Sequence, residues 1–84
     1  MGRIIEKKIL KCFADAVLDG DKTFEIRNNE EGYQKGDIIE FRVVYPDGIE
    51  SETHPLNGKQ YEITYVISGW GLKDGYVVLA IKPL

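Results

Sequence analysis

At 84 residues, with 43% hydrophobic and 30% charged side chains, the chain has the length and composition of one small globular domain, 1–84, too short to enclose a large active site. Eleven basic against 14 acidic residues leave a net charge of −3, which counts against non-specific polyanion binding. The single cysteine excludes an intrachain disulfide and cannot by itself hold zinc, no apolar run approaches about 18 residues, and the N-terminus has no signal-peptide core. The expectation is a soluble cytoplasmic protein with no metal, cofactor or membrane partner.

Charge is unevenly spread. Residues 1–11 carry Arg3, Lys7, Lys8 and Lys11 against Glu6, a local +3, so the remainder carries −6. Ile4 to Ile9 reads as a first strand. Leu10, Phe13, Ala14, Val17 and Leu18 then fall at i, i+3, i+4, i+7 and i+8, the stripe of an amphipathic helix of about ten residues. Its start lacks a good N-cap, and Gly20 ends it in the C′ position. Cys12 lies off the stripe and reads as a packed small residue rather than a nucleophile.

The second strand, Lys22 to Arg27, carries the chemistry. Period two puts Thr23, Glu25 and Arg27 on one face and Phe24 and Ile26 on the other, the apolar pair being the expected core face. Glu25 and Arg27 then lie about 6–7 Å apart along the strand, and Lys22 stands just beyond the helix, where the negative end of its dipole favours a cation. A row of opposite charges backed by apolar residues fits a ligand-reading edge; it fits an internal ion pair equally.

Asn28 to Gly36 is a polar loop with turn chemistry at both ends. Gly36-Asp37 opens a third strand, Ile38 to Tyr45, with Ile39, Phe41, Val43 and Tyr45 on one face; Asp37 reads as a turn acceptor. After the Pro46-Asp47-Gly48 turn, residues 49–58 read as a surface loop with few core residues. His54, with no second histidine in the chain, reads as a loop residue. A fourth strand, Lys59 to Ile67, alternates Tyr61, Ile63, Tyr65 and Ile67 against polar partners. Trp70, set between Gly69 and Gly71, reads as a cover for the open end of a barrel. The nearly all-apolar Tyr76 to Ile81 reads as a central strand covered on both faces. Five strands and one helix in this length predict a mainly β domain built on a strongly curved sheet.

Gly20, Lys22, Glu25 and Arg27, in the spacing G-x-K-x-x-E-x-R and followed by Gly36-Asp37, resemble the ASCH family, the activating-signal-cointegrator homology domains of the PUA-like superfamily. Phe13 to Gly20 is similar to the family's preceding helix. Gly75 to Ile81 is similar to the closing strand of small bacterial and phage members. The resemblance implies a PUA-like five-stranded pseudobarrel with one N-terminal helix and a cleft beside the motif strand. It also implies binding of single-stranded RNA, a nucleoside or a nucleotide. Lys22, Thr23, Glu25 and Arg27 would line the cleft, the cations meeting phosphate or base edges, while bases stack on Trp70, Tyr33 or Tyr76.

Two positions depart from the family pattern. Glu30-Glu31 stands where a basic residue is expected. A related branch hydrolyses acetylcytidine with a lysine and a threonine nucleophile; Lys22 matches the lysine, but Glu25 occupies the threonine's place and Thr23 is displaced by two residues. An amidohydrolase reading therefore assigns Lys22 as base, Glu25 as acid–base partner and a bound water as nucleophile. A third reading is a protein-interaction domain that offers an exposed strand edge.

Overall fold

The computed structural model describes residues 2–84, which form a five-stranded mixed sheet with one helix. Strand β1 (Ile4–Leu10) runs into helix α1 (Lys11–Leu18), followed by β2 (Phe24–Asn28) and a 3₁₀ turn at Asn29–Glu31. Strands β3 (Ile38–Val44), β4 (Gln60–Ser68) and β5 (Tyr76–Pro83) complete the chain. The order in space is β1-β3-β4-β5-β2, with β1 and β3 parallel and the other pairs antiparallel.

A parallel pair needs a crossover between its strands, and here the crossover contains both α1 and β2. It places β2 at the opposite edge of the sheet from β1. The sheet then curls until the two edges approach each other. Nη2 of Arg27, on β2, donates to the Lys8 carbonyl of β1 at 2.9 Å. Among the described residues no ladder joins β1 to β2, so the sheet stays open along a seam crossed by a side chain.

The core follows the expected alternation on β3, where Ile39, Phe41 and Val43 are all fully buried. Tyr61 and Ile63 of β4, Val77, Leu79 and Ile81 of β5, and Ile9 of β1 join them. The Phe41 and Tyr61 rings meet edge to face with centroids 5.5 Å apart, the arrangement their quadrupoles favour.

Several expectations are corrected by the structure. The helix has 8 residues rather than ten, and of its apolar stripe only Ala14 and Val17 are buried. Two turns cover little of the sheet, and Leu10, Phe13 and Leu18 stay partly exposed. Leu10 offers no side-chain cap, as the sequence predicts, and Gly20 closes the helix at a φ of 82°.

On β4 the alternation breaks at a bulge between Ile63 and Tyr65. One extra residue flips every later side chain to the other face. Tyr65 is therefore 61% exposed, and Val66 packs against the core in its place. Strand β5 lies one place in from the sheet edge, with Tyr76, Val78 and Ala80 only half-buried, so it is not covered on both faces. Tyr45 falls beyond the end of β3 and is exposed.

The loop at 49–58 docks rather than floats. Leu56 is fully buried, and Asn57 receives the Val43 N–H at 2.7 Å while donating to the Ser51 carbonyl at 2.6 Å. His54 ties the loop to α1. Its Nδ1 accepts the Leu56 N–H at 3.0 Å, so in the neutral ring the proton sits on Nε2, which faces Asp15 at 2.7 Å. The His54 and Lys11 partners hold the Asp15 carboxyl below the usual carboxylate range. Among the described residues no helix is long and apolar enough to cross a membrane.

Candidate functional site

The pairing of β2 with β5 decides what the motif strand shows to each side. Glu25 lies opposite Leu79 and Arg27 opposite Val77, whereas Phe24 and Ile26 lie opposite Ala80 and Val78. Directly opposed residues share a face. Leu79 and Val77 are core residues, so Glu25 and Arg27 are carried inward and the apolar pair outward. This inverts the expectation that Phe24 and Ile26 form the core face. Glu25 is only 4% exposed, while Phe24 and Ile26 are 40% and 55% exposed.

A buried carboxylate requires compensating charge, and Glu25 receives it from both sides of its own strand. Oε2 is ion-paired with the Lys22 ammonium, and Oε1 accepts from Arg27 Nε at 3.1 Å and Nη2 at 2.7 Å. Lys22 also donates to the Phe24 carbonyl at 2.7 Å. Its ammonium lies 5.5 Å from the Phe13 ring centre and 5.0 Å from that of Phe24, within cation–π range of both. The two cations are mostly, not wholly, enclosed: their side chains keep 16% and 20% of their exposure.

Their remaining exposure opens into a cleft of about 460 Å³ along the seam. Its lining comprises Lys8, Ile9 and Leu10 of β1, Phe13 of α1, and Lys22, Phe24, Glu25, Ile26 and Arg27 on or beside β2. The inward-facing Glu25 and Arg27 form its floor, and the outward-facing residues of the two edges, with Phe13, form its walls. The lining contains no hydroxyl or thiol side chain. A second hollow, of about 430 Å³, lies between Leu18 and the end of β5; it has no acidic side chain and Lys59 as its one cation.

Lys22, Glu25 and Arg27 are thus brought together. Thr23 is exposed and lies outside the cleft lining. Tyr33 is corrected: at 3% exposure its ring belongs to the core and offers no face for stacking a base. Burial pushes its phenol up, against the nearby charges of Lys7 and Arg27, and its hydroxyl has no partner among the described residues. Tyr33→Phe is expected to leave stability unchanged or raise it by up to about 1 kcal/mol, because an unpaired buried hydroxyl is unfavourable. A thermal melt of that variant checks this, and a drop in the midpoint contradicts it.

Trp70 is corrected as well. It covers nothing: it is 92% exposed at the β4–β5 turn and holds a φ of 52°, unusual for a bulky side chain. Tyr76 lies half-buried on β5, with the Lys73 ammonium 5.9 Å from its ring centre.

The walls of the cleft were not legible as site residues, since Phe13, Phe24 and Ile26 carry the pattern of core positions. Their signal was indirect: a carboxylate flanked by two cations can be buried with its charge compensated. Among the described residues no cluster of His, Cys, Asp and Glu is placed to hold a metal ion.

A family model described as a domain of unknown function, DUF3850, matches residues 4–81. No curated protein matches the chain.

Proposed function

The chain belongs to the DUF3850 family, and for this member we propose that the seam cleft binds a nucleotide, free or within a short single-stranded RNA. The observation that carries this reading is the meeting of partly exposed aromatic walls, Phe13 and Phe24, with the Lys22 and Arg27 cations in one concave space. Apolar clefts with a few convergent polar groups are the usual form of a small-ligand site. Bases bind such walls by stacking, with modest regard to sequence. The spacing shared with ASCH domains supports the same reading. Within it, the fold is a PUA-like pseudobarrel whose β1–β2 seam is left unladdered for the ligand, and Trp70 supplies a second stacking surface outside the cleft.

Hydrolysis of an acylated nucleoside fits less well. Lys22, the base in that reading, donates to both Glu25 and the Phe24 carbonyl, and Glu25, its acid–base partner, is held by both cations. Titration of the labelled protein with a short oligouridine is expected to shift the NMR signals of Phe13, Lys22, Phe24 and Arg27. Acetylcytidine incubated with the same preparation is expected to be recovered unchanged. Shifts confined to Lys7 and Lys11, which lie outside the cleft lining, would mean phosphate contact without a site and would overturn the reading.

A further inference from the structure

Counting donors and charges in the cleft narrows what it can hold, given the nucleotide reading above. An ammonium has three N–H groups, and Lys22 directs two of its own at Glu25 and the Phe24 carbonyl. A guanidinium has five. Nε of Arg27 is engaged by Glu25, and Nη2 is engaged twice, by Glu25 and by the Lys8 carbonyl. The Nη1 hydrogens and one Lys22 hydrogen are left over. Glu25, the one carboxylate in the lining, accepts three hydrogen bonds from the two cations, and at 4% exposure its remaining lone pair is withdrawn from solvent. The exposed side-chain hydrogen-bonding capacity of the charged floor is thus predominantly donor.

Charge points the same way. Lys8, Lys22 and Arg27 line the cleft against Glu25, a local +2 in a chain of net −3. Lys8 makes no ion pair with another described residue. A base edge presents donors as well as acceptors, and its donors would find no exposed side-chain acceptor in the lining. A phosphate monoester presents acceptors only and carries close to two negative charges at neutral pH. Arg presents paired donors suited to phosphate oxygens.

We propose that Lys8, Lys22 and Arg27 grip the terminal phosphate of a nucleoside monophosphate or of a phosphorylated RNA end, with the base against Phe13 and Phe24. The cleft on this view recognises an end rather than the interior of a strand, because an internal phosphodiester carries one charge and has no free end to enter the seam. This extends the nucleotide reading and is separable from it.

Calorimetry on the full chain with uridine monophosphate, uridine and phenyl phosphate tests it. Uridine monophosphate is expected to bind at least about tenfold more tightly than uridine, the size of one charge-assisted hydrogen bond. Lys8→Ala alters an exposed side chain and spares the Glu25 cluster. It is expected to weaken uridine monophosphate by about three- to fivefold, as for an exposed ion pair, and to leave uridine unchanged. Uridine binding as tightly as its monophosphate overturns the phosphate assignment while the nucleotide reading stands. Phenyl phosphate binding as tightly as uridine monophosphate keeps the phosphate assignment and overturns the nucleotide reading. No binding by any of the three overturns both.

Discussion

Glu25→Ala is expected to lower the unfolding free energy by about 3–5 kcal/mol, the usual result of removing one member of a buried charge cluster. The carboxylate is 4% exposed, and both flanking cations are largely withdrawn from water around it. Without it, Lys22 and Arg27 face each other across the floor of the seam with like charges and three lost contacts. Arg27→Ala should be milder, because Glu25 keeps Lys22 and the alanine leaves room for water at the seam. The order of the two variants in urea melts is the informative result. If Glu25→Ala melts within about 1 kcal/mol of the parent, the range of a surface pair, the cluster is peripheral to folding. Glu25→Gln separates stability from binding. It preserves an acceptor and the side-chain volume but raises the local charge of the cleft by one, so it should destabilise the fold while tightening phosphate monoesters.

The mutational argument rests on an inversion that one strand read alone does not reveal. Period two in Phe24-Glu25-Ile26-Arg27 establishes which residues share a face, and the structure respects it. Which face turns inward is decided by register with β5, a partner about fifty residues away, whose core residues Leu79 and Val77 stand opposite the charged pair. Strand β3 was legible because its apolar row was unbroken, whereas its other row, Ile38, Glu40, Arg42 and Val44, has charged residues at its centre and apolar ones only at its ends. Strand β4 was legible only as far as the bulge, since Tyr61, Ile63, Tyr65 and Ile67 continue the alternation in sequence after the structure has shifted it.

Segments rich in polar residues hid two core side chains. Tyr33 sits in a turn whose composition reads as solvent-exposed, and Leu56 in a loop flanked by His54, Pro55 and Asn57. Both are drawn inward by contacts with distant strands, for which neighbours in sequence carry no signal. The cleft itself is of this kind. It exists because a crossover sends β2 to the far edge of a curling sheet, leaving two strand edges facing each other with Phe13 beside them. The triad on one strand was visible in the sequence, whereas the walls that make it a site were supplied by topology.

Asp37→Ala is expected to cost about 2–4 kcal/mol, from two backbone donors left without their acceptor and a lost charged hydrogen bond. The carboxylate is buried and joins the starts of β1 and β3. Oδ1 accepts the Arg3 N–H at 3.1 Å, and Oδ2 accepts from Arg3 Nη2 at 2.8 Å and the Gln34 N–H at 2.9 Å. The Arg3 guanidinium, helped by these backbone donors and opposed by burial, holds the Asp37 carboxyl below the usual carboxylate range. An acid with a lower pKa in the folded than in the unfolded chain binds fewer protons when folded. Its contribution is therefore complete above the unfolded value of about 3.9 and is lost as pH falls through the folded value beneath it. The parent protein should lose stability steeply below about pH 4, and Asp37→Asn, already weaker at neutral pH, should show a flatter acid limb because its amide does not titrate. Urea midpoints for both proteins between neutral and acid pH distinguish the cases: parallel acid limbs would mean that other carboxylates govern acid unfolding and that Asp37 only completes a turn. A flattened limb would identify the Arg3–Asp37 contact as the tie that holds the parallel pair in register, and with it the β1 edge of the seam on which the cleft depends.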